Sequence, residues 1–157
     1  MLNPTVPFSD LPPAETRLLK RALEVAPRAL NPASRFQVGA AVQAANGDIF
    51  TGTFYESSSF PLGVCAEAAA LAAAVTAGVR DFEAIAVVGG DPRSGNPGRP
   101  VTPCGGCRQR IFDVTGAPRR NVDVLCADLT LSQIYRVGIC DLLPLPFGAE
   151  ALPPSPE

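Results

Sequence analysis

FQVGAAVQAANGDIFTGTFY, residues 36–55, is the stretch whose reading decides the fold. Small and apolar residues fill 36–45, and Asn46-Gly47-Asp48 is a strong hairpin-turn signal. The run 48–55 then returns with the threonine and aromatic side chains that favour strands. Upstream, residues 10–30 place Leu11, Leu18, Leu19, Ala22, Leu23, Val25 and Ala26 at spacings near three and four, behind Asp10, Pro12 and Pro13. That pattern predicts a first helix. Downstream, Ala66 to Ala77 reads as an alanine-rich helix stopped by Gly78, and FEAIAVVGG (82–90) as a strand buried on both faces. A loop dense in glycine and proline covers 90–103, a third helix runs from Gly105 to Val114, and VDVLCAD (122–128) is a further strand. Residues 129–148 mix a short helical signal with an extended end, and 151–157 read as a frayed tail. A hairpin followed by alternating helices and strands predicts an α/β fold. Its mixed sheet of about five strands is covered by helices on both faces, as an α-β-α sandwich, in a single domain over 1–150.

Composition narrows the function classes. With 46% hydrophobic and 18% charged residues, the 157-residue chain is globular in character. Its 13 basic and 15 acidic residues leave a net charge of −2, which disfavours a nucleic-acid partner. The apolar runs fall short of a bilayer span, so no membrane partner is expected. MLNPTVPFSD carries neither the basic nor the apolar region of a secretory signal, and the expected location is cytoplasmic. Five cysteines are then thiols or metal ligands rather than disulfides. The absence of histidine leaves acid–base chemistry to carboxylates, water, lysine or cysteine.

Pro103-Cys104-Gly105-Gly106-Cys107 sets two thiols three apart where a loop enters a helix. Alone, that spacing fits half a zinc site, a redox pair or two incidental thiols. Cys65, at the start of the alanine-rich helix, offers a third thiolate. Three protein ligands leave one position of a four-coordinate zinc open, which is the catalytic arrangement. Cys126 and Cys140 lie in apolar segments and read as buried thiols. Helix N-termini favour thiolates, through unsatisfied N–H groups and the positive end of the dipole. Three thiolates on zinc carry a net charge of −1, for which the helix dipoles and Arg108 offer compensation. Glu67 sits in the same first turn as Cys65, where a carboxylate can move protons to and from a metal-activated water. Taken without the cysteines, it reads as a favourable negative charge at a helix start.

Cys-Ala-Glu at 65–67 with Pro-Cys-Gly-Gly-Cys-Arg-Gln at 103–109 resembles the signature of zinc nucleoside deaminases in its three-cysteine form. Ser34 to Ala41 is similar to the first-strand motif of small bacterial cytidine deaminases, and Leu142-Leu143-Pro144 with Phe147 to their C-terminal segment. The resemblance covers nearly the whole chain. It implies the cytidine deaminase-like sandwich and a Zn2+ cofactor held by Cys65, Cys104 and Cys107. It also implies attack on C4 of a pyrimidine, with Glu67 shuttling the proton and ammonia released. It assigns the main chain at Ala66 to the base's O2, Thr102-Pro103 to the leaving amine, Phe36 to the base pocket, and Phe147 to a neighbour's site in a homotetramer with shared active sites. The implied substrate is a small-molecule nucleoside, in pyrimidine salvage.

Two positions depart from the pattern. Family members usually carry asparagine where this chain has Phe54, two residues before the glutamate matched by Glu56, and the pair holds the ribose hydroxyl. A phenyl ring cannot make that hydrogen bond. Leaving a buried hydroxyl unpaired costs about 1–3 kcal/mol. Deamination of a free aminated base or a sugar-modified nucleoside is therefore an alternative to cytidine or deoxycytidine, and a non-catalytic zinc-stapled domain is a third reading. Ala68 stands where three-cysteine members usually have arginine, which removes one offset to the thiolate charge.

Overall fold

The structure, a computed structural model, describes residues 5–94 and 98–153. Part of the 90–103 loop and most of the expected tail therefore fall outside the described residues. Its strands are β1 (Thr5–Val6), β2 (Gln37–Ala44), β3 (Ile49–Thr53), β4 (Phe82–Gly90), β5 (Asp123–Asp128) and β6 (Ile134–Gly138). Its helices are α1 (Pro13–Val25), α2 (Ala66–Thr76), α3 (Gly105–Thr115) and the single turn α4 (Ile139–Leu142). One sheet runs in the order β1-β6-β5-β4-β2-β3, in which β4 and β5 are parallel and the other neighbours antiparallel.

Period-two alternation along the central strands sorts the core into two layers. Ala40, Val42, Ile85, Val87, Val124 and Cys126 face Ala66, Ala70, Leu71 and Ala74 of α2 and Ile111 and Phe112 of α3. Ala41, Ala86, Val88, Leu125 and Ala127 face the other way, onto Leu18, Leu19 and Ala22 of α1. The result is the expected three-layer α-β-α sandwich. Among the described residues no helix is long and apolar enough to cross a membrane.

The hairpin closes where the sequence places it, with Gly47 at φ 89°, a conformation that suits glycine. Thr53 ends the return strand, two residues short of the 48–55 reading. Helix α1 starts at Pro13, because proline at the first helical position loses no intrahelical bond. It gives way after Val25 to a 3₁₀ turn over Ala26–Arg28 that contains Pro27. The two-residue β1 adds a sixth strand at the β6 edge. Within 129–148 the structure has strand β6 first and the single-turn α4 after it. Ala149–Ala151 forms a further 3₁₀ turn.

Two local features place the site. A Cβ on Gly52 of β3 would meet Ala66 O at 2.5 Å and collide with Ala70 N, so only glycine lets the first turns of α2 lie this close to the sheet. Beyond β3, Phe54 N–H donates to Val38 O (3.0 Å) and Leu30 N–H to Phe54 O (3.1 Å). Tyr55 and Val64 exchange N–H···O bonds of 3.1 Å, pinning the chain just before Cys65.

Candidate active site

The N-termini of α2 and α3 converge above the sheet. Cys65 is the N-cap residue of α2, Cys104 the N-cap residue of α3, and Cys107 lies in the first turn of α3. Their sulfurs all lie within 4.8 Å of one another. Zinc bonded to sulfur at about 2.3 Å in tetrahedral geometry needs sulfurs about 3.8 Å apart, which falls within that bound, so the donor set fits that metal. Cys107 is buried, Cys65 half-buried and Cys104 exposed, which gives the cluster an inner and an outer side.

Electrostatics differ along the cluster. Burial pushes the Cys65 and Cys107 thiols above their ordinary range, and Glu67 adds to both shifts. Burial also acts against Cys104, but hydrogen bonds from the main chain and side chain of Cys107 and from Cys65 hold it below the ordinary thiol value. Cys126, on the sheet beneath, is raised to about 12 by burial. It lies outside the three-sulfur cluster, as does the half-buried Cys140. Glu67 is only 5% exposed. Burial raises its carboxyl above the usual range, opposed by bonds to its own backbone and the Cys107 side chain and by the charge of Arg110.

Cys65, Ala66, Glu67 and Cys104 form one side of a cavity of about 180 Å³. Phe36 and Phe54 supply aromatic walls, with Val38, Val101 and Thr102 completing it. A dry cavity of about 150 Å³ accepts a benzene ring, so this one suits a single aromatic heterocycle. A second cavity, of about 640 Å³, lies on the other side of Phe54, lined also by Pro32, Glu56, Ser57, Ser58 and Phe60.

The structure thus brings together Cys65, Ala66, Glu67, Cys104, Cys107, Phe36, Phe54 and Thr102. Glu56 faces the second cavity, where its carboxylate accepts from Ala33 N–H (2.9 Å) and Ser34 N–H (3.2 Å), and its pKa is held down, first by Ser34. Pro103 is buried behind the wall, where its carbonyl accepts from Arg108 Nε (2.9 Å). Arg108 Nη1 donates to Leu142 O (3.0 Å), so this guanidinium ties α3 to α4. Phe147 is exposed and lines a separate hollow beside Phe112 and Asp113. Its main chain is paired with the side chain of Gln109 through bonds of 2.7 and 3.2 Å. Sequence reading missed Val38, Val101 and Arg110. The two valines carry no chemical signal. Arg110 could have been noticed from its place one turn after Cys107.

An α-β-α sandwich with three thiols and a buried carboxylate at paired helix N-termini defines a zinc enzyme of the hydrolytic deaminase class. Residues 13–122 match the family described as the cytidine and deoxycytidylate deaminase zinc-binding region. The chain belongs to that family, and zinc is its metal. It is 38% identical over 133 residues to a cytidine deaminase of Halalkalibacterium halodurans, covering 85% of this chain and 93% of that one. The crystal structure of a cytidine deaminase from Burkholderia pseudomallei superposes with a TM-score of 0.71 at 34% identity, over 83% of this chain and 97% of that chain. A blasticidin-S deaminase of Bacillus cereus is 37% identical over 83 residues, 51% of this chain and 59% of its own length.

Proposed function

We propose that this protein hydrolyses the exocyclic amine of cytidine, deoxycytidine or a closely related aminopyrimidine nucleoside, giving the uridine-type product and ammonia. The observation that carries the reading is the meeting of three thiols and a buried carboxylate on one side of a ring-sized cavity. Zinc bound by Cys65, Cys104 and Cys107 supplies Lewis acidity toward water. Glu67, with a carboxyl that burial biases toward the protonated form, takes the two protons of the water in turn, giving the first to the ring nitrogen and the second to the departing amine, while the oxygen stays on carbon as the new carbonyl. Ala66 offers its main chain to the base, Phe36 stacks beside the ring, and the Thr102-Pro103 stretch faces the amine. Arg108 fixes that stretch by holding the Pro103 carbonyl.

The cavity beside the cysteines is too small for a whole nucleoside, which supports a sugar position toward the larger cavity past Phe54. There Glu56 and two serines offer polar contacts, whereas Phe54 offers none to a hydroxyl. That position favours, as a second reading, a base or sugar-modified nucleoside as the preferred substrate. The similarity to a blasticidin-S deaminase supports the same direction. Residues 1–150 act as one cytoplasmic domain in pyrimidine salvage. Phe60 and Leu62 on one side, with Leu145 and Phe147 on another, leave large apolar side chains exposed, which supports a homotetramer in which Phe147 reaches a neighbour's site.

Ammonia release from cytidine, deoxycytidine, cytosine and sugar-modified analogues, with zinc content measured on the same samples, tests the proposal. Zinc-loaded protein that releases ammonia from none of them overturns it. Cytidine turned over far faster than every other compound removes the second reading. Phe54→Asn is expected to raise kcat/KM for cytidine relative to cytosine by about tenfold, the value of one buried hydroxyl regaining a partner.

A further inference from the structure

Zinc with three thiolates carries a net charge of −1, and an ionised Glu67 would take the site to −2. None of the residues lining the adjoining cavity is a cation. Arg108, next to Cys107 in sequence, has its guanidinium directed to the carbonyls of Pro103 and Leu142. Arg110 is placed differently. It lies three residues after Cys107, on the same face of α3, and its Nη1 reaches back over the helix start, to within 3.3 Å of where a Cβ on Gly106 would sit. Gly106, between the two cysteines of α3, leaves that space open.

This placement is not a surface ion pair. Among the described residues no salt bridge ends on Arg110, although Arg21, Arg93, Arg120 and Arg136 each face an acid. Its guanidinium stands instead beside Gly106, between the two cysteines that α3 contributes to the cluster. A cation folded back toward a helix N-terminus also opposes the helix dipole. Negative charge at the same point offsets that cost, and α3 has no acidic residue in its first turn. The thiolates of Cys104 and Cys107 and the carboxylate of Glu67 are that charge.

We propose that Arg110, seated in the space left by Gly106, is the charge-compensating residue of the zinc site. It touches no reacting atom and acts through the electrostatic field at the thiolates and Glu67. The inference rests on the cysteine cluster holding zinc.

Zinc affinity, measured at one fixed pH by competition with a chromophoric chelator, tests it on the whole protein. Arg110→Gln is expected to bind zinc about tenfold more weakly, the size of one partly screened charge interaction near a protein surface. Arg110→Lys, which keeps the charge, should stay within about threefold of the native protein, and the deficit of Arg110→Gln should shrink in about 1 M salt. Thermal unfolding of the three metal-free proteins is expected to coincide, because the side chain is exposed and unpaired. Equal zinc affinity of Arg110→Gln and native protein overturns the inference while leaving the function proposed above intact, as does a Lys variant as weak as the Gln variant. A native protein that binds no zinc at all overturns both.

Discussion

The first turn of α2 and the last residue of β5 each bury a carboxylate, and the two are treated in opposite ways. Asp128, 1% exposed, is surrounded by donors. Its Oδ1 accepts from Thr130 N–H (2.9 Å), Thr130 Oγ1 (2.8 Å) and Ser132 N–H (3.1 Å), and its Oδ2 from Ser132 Oγ (2.7 Å). Burial works against its charge, yet these bonds prevail and hold its pKa below the ordinary aspartate value. Glu67 is nearly as buried and is raised instead. The difference lies in what surrounds the acid. A carboxylate that meets its donors inside the protein keeps its charge and stabilises a turn, whereas burial beside thiols with few donors biases an acid toward its neutral form.

Exchanging either acid for a neutral side chain should separate these roles. Glu67→Gln is expected to lower turnover by about 10²–10⁴-fold, while zinc content and the unfolding temperature stay at or above native values. An active Glu67→Gln enzyme would remove the proton-shuttle role. Asp128→Ala should do the converse. Losing four accepted bonds at a buried turn costs about 2–3 kcal/mol, or roughly 5–10 °C in Tm, with turnover per folded molecule little changed. Retention of the full Tm would show that the turn does not need its acid. The smallest effect concerns pH. Because the folded-state pKa of Asp128 is depressed, its contribution to stability is complete above the unfolded value of 3.8 and is lost as pH falls through the lower folded value. Urea unfolding between about pH 5 and pH 2 should therefore be less pH-dependent for Asp128→Asn than for native protein, and parallel curves would argue against this linkage.

The sequence made the site more legible than some of the fold around it, for physical reasons. Cysteine spacing and a carboxylate in the same turn are chemical signals that survive without any packing information, and the structure does gather those side chains. The hairpin was equally readable because Asn-Gly-Asp restricts the backbone locally. By contrast, β1 is a strand only because Thr5 and Val6 pair with Tyr135 and Ile134, far along the chain. Strand β6 and the four-residue α4 are too short for either to show a period, so their order could not be read. Arg110 looked like one more surface arginine because its orientation depends on the open space at Gly106 and on a second helix. Phe147 was expected to act across a subunit boundary. Within one chain it is fastened to Gln109 and exposed.

Gly52 gives the molecule a mechanical tolerance. Most enzyme helices rest on their sheet through bulky side chains that can shift rotamer and absorb a change elsewhere. Here the Ala66 carbonyl, adjacent to Cys65, lies against bare backbone at residue 52, and the alanines of α2 leave nothing compressible between helix and strand. The position of that cysteine is thus set by the thickness of two backbones in contact. A single added methyl group at 52 would be transmitted almost undamped to the metal ligands, where a misplacement of about 1 Å can cost about a hundredfold in rate.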